Sequence, residues 1–265
     1  MRILIIQFSG TGNTRRIAEV LRQEFEDNGA ESRIIPMEHI TLGKITPDYA
    51  GWDIVGIGFP VHAMDAPAIV YDFIGTLPKS ATRYFLFKTA GSTTFNAGST
   101  YNIRHKLALL GWKLIHEQLY EMPPNAFGTA NPKKVNKRYF KARALAIKTA
   151  AEILGGVNSR LADPMIRNLL YRFAALEKHG AQQSSKRWIV SSACTLCGIC
   201  VENCPTENIH IEEGKLLFDD KCLLCLRCWW NCPARAISHT FLKPFFLKEP
   251  YILPNDNDIS EETNG

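Results

Sequence analysis

The sequence predicts a two-part α/β protein, in which a doubly wound parallel sheet is followed by a small domain built around cysteines. Three observations carry this. Apolar runs alternate with amphipathic ones through the first 155 residues. A loop of glycines and hydroxyl residues, Ser9-Gly10-Thr11-Gly12-Asn13-Thr14, joins the first apolar run to the first amphipathic one. All eight cysteines fall in two copies of C-x2-C-x2-C-x3-C-P, Cys194 to Cys204 and Cys222 to Cys232, each closed by a proline.

Residues 1–8 read as a buried strand. A helix follows at 15–28, with Ile17, Val20, Leu21 and Phe25 on one face. A second strand is predicted at 32–35 and a third at 53–58, the latter apolar on both faces, as a strand covered by helices on both sides requires. It opens into Phe59-Pro60-Val61-His62-Ala63-Met64 and a helix at 67–74. The fourth strand, 83–87, opens into Lys88-Thr89-Ala90-Gly91-Ser92. A helix at 100–110, a strand at 113–119 and a helix at 135–154 complete the series. Such alternation with right-handed crossovers gives a doubly wound parallel sheet. Its ligands sit beyond the carboxyl ends of the strands, where the three loops emerge.

The loop 9–14 presents backbone N–H groups, short hydroxyls and a helix N-terminus to a phosphate. Asn13, Thr14 and Arg15 after Gly12 break the G-x-G-x-x-G pattern, and no Gly-Lys-Ser/Thr closes the loop. Nicotinamide-nucleotide and ATP loops are both disfavoured. The loop does fit Ser/Thr-x-Thr-Gly-x-Thr at Ser9, Thr11, Gly12 and Thr14, and the first 150 or so residues resemble a short-chain flavodoxin. That resemblance implies a five-stranded sheet of order 2-1-3-4-5 and a bound FMN. Its phosphate would lie on Ser9, Thr11, Gly12, Asn13 and Thr14, and its ring between Pro60, Val61, His62, Ala63 and Thr89, Ala90, Gly91. Neither ring loop carries the Trp or Tyr that stacks on the flavin in many flavodoxins. His62, Met64 and Phe95 are the substitutes at hand; otherwise that face is open, or covered by the second domain. Typical flavodoxins are strongly acidic, whereas residues 1–150 carry 19 Lys/Arg against 12 Asp/Glu. A positive surround favours the anionic reduced flavin, so a less negative potential is expected than in an acidic homologue.

Thiolates suit both iron and zinc, but zinc is more naturally held by paired C-x2-C knuckles than by two runs ending in Cys-Pro. Four disulfides of an exported scaffold are opposed by the short spacings and the large cysteine-free first domain. Residues 188–240 resemble a bacterial two-cluster ferredoxin, in which the fourth cysteine of each run crosses to the other cluster. This implies one [4Fe-4S] cluster on Cys194, Cys197, Cys200 and Cys232, and another on Cys222, Cys225, Cys228 and Cys204. Thr195 and Gly198 leave room and free amides near sulfur. The duplication reaches beyond the cysteines, with 207–211 parallel to 235–238 and 188–190 parallel to 216–218. Trp229 and Trp230, beside Cys228, read as core packing.

Four segments result: 1–155, flavodoxin-like; 156–187, a linker; 188–240, ferredoxin-like; and a tail at 241–265 that wraps back onto a domain and ends in acidic residues. In the linker Leu161, Met165, Ile166, Leu169, Leu170, Phe173, Ala174 and Leu176 recur at helical spacing among Arg160, Arg167, Arg172 and Lys178. This is a basic amphipathic helix, packed between the domains or against an anionic surface, with hinges at Gly155-Gly156 and 180–185. The net charge of +5 does not point to nucleic acid, because Lys133, Lys134, Lys137, Arg138, Lys141 and Arg143 are read onto the solvent face of one helix. No apolar run has the length of a membrane span and no export signal opens the chain, so a cytoplasmic protein is expected.

The whole chain resembles the flavodoxin–ferredoxin fusion proteins of anaerobes. The resemblance implies electron transfer between two [4Fe-4S] clusters and FMN, and on to a redox partner such as an acidic ferredoxin or an oxidoreductase. Two other functions stay open. One is a flavin-dependent reductase of a quinone or other conjugated compound, with His62 or Tyr101 as proton donor. The other is a redox-sensing interaction protein. Direction of flow and oligomeric state are not legible.

Overall fold

Five strands lie side by side: β1 (Arg2–Gln7), β2 (Glu31–Pro36), β3 (Ile54–Pro60), β4 (Arg83–Ala90) and β5 (Lys113–Glu121). They belong to a computed structural model that describes residues 1–62, 64–93, 96–126, 130–162 and 184–256. Every pairing among them is parallel, and the order is β2-β1-β3-β4-β5. Neighbouring residues of a strand point to opposite faces, so each apolar strand feeds two cores. Leu4, Ile6, Ile57, Tyr84 and Leu86 pack under α2 (Met37–Thr41), α3 (Ala68–Gly75) and α4 (Tyr101–Leu109). Ile3, Ile5, Phe85 and Phe87 pack under α1 (Asn13–Asp27) and α5 (Pro132–Leu154). Full burial of each such side chain stabilises the fold by about 1.5–3 kcal/mol.

Two glycines of β3 are required by their neighbours. A Cβ on Gly56 would lie 2.3 Å from the Phe85 ring, and one on Gly58 only 2.0 Å from the Phe87 ring. Both phenyl rings lie directly against bare glycine backbone. Helix α5 begins three residues before the predicted position because Asn131 caps it, accepting from the Lys134 N–H at 3.3 Å, with Pro132 in the first turn. The short α2 is unforeseen by periodicity. It carries Glu38, which accepts from Arg227 of the second domain at 2.7 Å.

The second domain holds two antiparallel pairs. β6 (Trp188–Val190) pairs with β9 (Ile237–His239), and β7 (Ile209–Glu212) with β8 (Lys215–Phe218). Two short helices, α6 (Ile199–Glu202) and α7 (Arg227–Trp230), sit between them in sequence. Trp188, Ile209, Leu216, Leu226, Trp229 and Ile237 form the core.

The tail reaches both domains rather than one. Leu247 joins the core of the second domain, while Leu253 packs on the α1/α5 core of the first. Phe246 bridges to Ala126, and the Trp230 and Tyr251 rings meet edge to face at 4.9 Å. Of the expected linker helix, Leu161 lies in non-helical chain, its N–H donating to Glu117 at 3.3 Å, while Met165 to Leu176 lie outside the described residues, as does most of the acidic end. Among the described residues no helix is long and apolar enough to cross a membrane.

Candidate functional site

The carboxyl ends of β3 and β4 and the start of α1 border a cavity of about 530 Å³, within the ~300–1,000 Å³ usual for cofactor sites. Pro60, Val61 and His62 line it from β3, Thr89, Ala90 and Gly91 from β4, and Asn13 from α1. The two loops are tied together, since the Val61 N–H donates to the Thr89 carbonyl at 2.8 Å. His62 is held by reciprocal backbone bonds with Asp65, whose carboxylate accepts from the Tyr71 hydroxyl at 2.8 Å. Ala63 and Phe95 lie outside the described residues. Neither Met64 nor Tyr101 lines the cavity.

Two further walls were not legible in the sequence. Pro123, Pro124, Asn125 and Ala126, after β5, form one, with Arg138 of α5 above it. Arg138 is therefore not a solvent-face residue as expected. It is half-buried, donates to the Gly91 carbonyl at 3.3 Å and pairs with Glu121 at 3.5 Å. Arg143 also turns inward, towards Asp256 at 3.3 Å, while Lys133, Lys134, Lys137 and Lys141 are exposed. The other wall comes from the second domain: Leu223, Leu224, Cys225 and Leu226 close the cavity opposite the β3 and β4 loops. The second domain thus contributes to the lining of the cavity.

The loop 9–14 is divided. Asn13 faces the first cavity, whereas Ser9, Thr11 and Gly12 line a second, polar cavity of about 350 Å³ shared with Arg15, Glu38, Lys44 and Arg227. Thr14 is fully buried and its hydroxyl meets that of Thr89 at 2.8 Å. Gly12 caps α1 at φ 106°, with no side-chain cap and no acidic residue in the first turn, so the positive helix end is uncompensated. The Thr11 hydroxyl is buried without a hydrogen-bond partner. A hydroxyl in that state and an open helix end both suit an anion such as phosphate.

The cysteines form two groups, each drawn from both runs. Cys194, Cys197, Cys200 and Cys232 line one small cavity; Cys204, Cys222, Cys225 and Cys228 line another. Cys204 and Cys232 each cross to the other run's loop. The two runs share an unusual backbone: φ is positive at Leu196 and Leu224, at Gly198 and Leu226, and at Glu207 and Arg235. Positive φ is uncommon outside glycine, and here it recurs at corresponding places in both copies. It turns amides towards sulfur. The N–H groups of Asn208 and Ala236 donate to Cys204 and Cys232, each at 3.3 Å, and that of Leu224 donates to Cys222 at 3.3 Å. These three bonds come from other residues than Thr195 and Gly198.

Burial pushes the Cys225 thiol up to about 12 and that of Cys228 well above its ordinary value, so without a metal they are poor nucleophiles. Four sulfurs about 2.3 Å from one zinc would crowd within about 4 Å of each other. Among the described residues no three Cys, His, Asp or Glu side chains converge on a single ion. A cubane would distribute four thiolates over four irons instead, and the gathering of four cysteines around each small cavity suits it.

Residues 188–210 match a family model described as a 4Fe-4S binding domain. The chain joins a flavodoxin-like sheet to a 4Fe-4S binding domain. No curated protein matches the chain by sequence. Similar solved structures include oxidised Flavodoxin 2 from Bacillus cereus, 17% identical over 57% of this chain and 99% of that one, with a TM-score of 0.43. A flavodoxin from Streptococcus pneumonia TIGR4 is 14% identical over 58% of this chain and 99% of that one, at 0.41. An NAD(P)H:quinone oxidoreductase from Methanothermobacter marburgensis is 11% identical over 58% and 97%, at 0.42. The flavodoxin-like assignment rests on the strand order and the loops themselves, and the ferredoxin-like domain on the match to its first cysteine run.

Proposed function

We propose that the protein is an iron–sulfur flavoprotein that passes electrons between two [4Fe-4S] clusters and FMN, and on to a redox partner. Cys194, Cys197, Cys200 and Cys232 hold one cluster in this reading, and Cys222, Cys225, Cys228 and Cys204 the other. Pro60–His62, Ala63 and Thr89–Gly91 embrace the flavin ring, while Ser9, Thr11, Gly12, Asn13 and Thr14 serve its phosphate. The domains are taken as 1–155 and 188–240, joined by 156–187, with the tail from 241. A bound flavin supplies two-electron capacity released in single steps, and each cluster handles one electron.

The observation that carries this reading is the shared cavity, walled on one side by the β3 and β4 loops and on the other by residues 223–226 around Cys225. Leu223, Leu224 and Leu226 give that wall an apolar surface. Arg138 adds positive charge at the rim, and the Leu224 N–H on Cys222 favours the reduced state of iron bound there. Fusion in one chain replaces a collision by a fixed geometry. The candidate proton donor Tyr101 does not line the cavity, which leaves the reductase only His62 and makes the relay the preferred reading.

The test is anaerobic purification with iron, sulfide and flavin measured per chain, followed by stepwise reduction under EPR. Two four-iron clusters and one FMN are the expected content. Zinc in their place, or no affinity for FMN, refutes the proposal.

A further inference from the structure

We infer that the two cysteine groups are not interchangeable: Cys204, Cys222, Cys225 and Cys228 form the flavin-side group, and Cys194, Cys197, Cys200 and Cys232 the outward group, where an external one-electron carrier is met. The inference rests on the function proposed above and adds an order to it.

The second run is docked on the first domain at several points. Leu223 and Cys225 pack against the core beneath α2 and α3. The Cys225 carbonyl comes so close to Gly10 that a Cβ there would sit 2.2 Å from its oxygen. Arg227, the residue after the wall, donates to the Ser9 carbonyl at 2.6 Å and to Glu38 at 2.7 Å. Its guanidinium also lies 5.5 Å from the Phe8 ring centre. The small cavity of each group is lined by second-domain residues alone, so it is the docking of residues 223–227 that sets the two groups apart. Cys197 in the outward group is exposed, whereas its counterpart Cys225 is half-buried against the first domain.

The copies fold alike, as their matching positive-φ residues show, so ligand geometry does not distinguish them. Their side chains do. Thr195, Gly198 and Ile199 in the first run correspond to Leu223, Leu226 and Arg227 in the second. Three of the residues in which the second copy departs from the first, Leu223, Leu226 and Arg227, are ones that dock it or wall the cavity. An electron given up by a carrier at the outward group therefore reaches the cavity by way of the flavin-side group. The carrier is oxidised by one electron at each encounter.

The test uses the full chain loaded with iron, sulfide and FMN, in Cys197→Ala, Cys225→Ala and Gly10→Ala forms. The readout is microwave power saturation of the flavin EPR signal in partly reduced protein, together with iron and flavin content. A nearby paramagnetic cluster speeds relaxation of that signal. Native protein and Cys197→Ala are expected to relax fast, and Cys225→Ala to lose the enhancement. Gly10→Ala keeps every ligand but wedges residues 223–226 away, so it too is expected to lose the enhancement at full iron content. In stopped-flow with reduced methyl viologen, each viologen giving one electron, Cys197→Ala is expected to lose the fast phase. Loss of enhancement in Cys197→Ala, or native relaxation in Gly10→Ala with iron and flavin intact, overturns the order. Native protein lacking flavin or iron refutes the function proposal instead, so the two failures are distinct.

Discussion

The Tyr251 hydroxyl lies 3.0 Å from Oδ1 of Asn13, across 238 positions of sequence. Around the phenol oxygen of Tyr251 also stand the Pro123 carbonyl at 2.7 Å and Oδ1 of Asn125 at 2.8 Å. Asn13 begins α1, and Pro123 and Asn125 belong to the wall after β5. One phenol thus ties the tail to two sides of the cavity, and burial pushes it above its usual range, so it stays neutral and able to donate.

Replacing Tyr251 by Phe removes this buried donor. A net hydrogen bond contributes about 1 kcal/mol, so FMN affinity should fall about fivefold, with iron content unchanged in flavin titrations. Glu31, 64% exposed and paired with Arg2 at 3.2 Å, is the control. An exposed pair contributes about 1 kcal/mol or less, and Glu31→Gln should be close to neutral in the same titration.

Arg227 and Glu38 form the most enclosed ion pair between the two domains that the structure describes, their side chains 13% and 12% exposed. Arg227→Met strands a carboxylate at the interface. Breaking such a pair costs about 3–5 kcal/mol, whereas removing both partners costs far less. Small-angle scattering should report a larger radius for Arg227→Met and partial recovery in Arg227→Met/Glu38→Leu. Equal radii in the native and single-variant proteins would remove the pair as a docking element.

Gly58→Ala places a Cβ 2.0 Å from the Phe87 ring. Overpacking of this sort costs about 1–3 kcal/mol. Denaturant unfolding should show the loss, and Phe87→Leu in the same chain should restore part of it.

Burial raises the phenols of Tyr49, Tyr84, Tyr120 and Tyr139, that of Tyr49 to about 12. The unfolded chain releases these protons near pH 10 and the folded one holds them. Their contribution is therefore complete below about pH 10 and is lost as pH rises through the folded values. Circular dichroism and the tyrosinate absorbance should change together above that point. Ionisation of these phenols with the fold intact would contradict the assignment.

The fold was legible because burial on two faces writes itself plainly, as in Ile54 to Phe59 and Tyr84 to Phe87, where every position is apolar or glycine until Lys88. That lysine is fully buried and donates to Glu117 at 3.3 Å, an arrangement no periodicity signals. The cysteine groups were legible in composition, since thiol spacing is a covalent fact. Docking was not. Leu223 and Leu226 look like ordinary core leucines, and Arg227 like a solvated charge, until Gly10 and Glu38 are brought beside them. Arg138 was misplaced for a related reason: helical periodicity assigns a face but cannot say that the β5 loop will fold over it. Leu226 at positive φ, where the first copy has Gly198, is invisible in sequence, because leucine gives no hint of a left-handed turn.

The tail's attachment to Asn13 bears on how the molecule is put together. Synthesis runs from the amino end and domains fold largely as they emerge, so the five-stranded sheet stands complete well before Tyr251 leaves the ribosome. Its pocket until then lacks both the leucine lid and the tyrosine latch. The proposed cofactor cavity is therefore complete only once residues 223–226 and Tyr251 are in place, which couples its closure to the folding of the second domain and the tail.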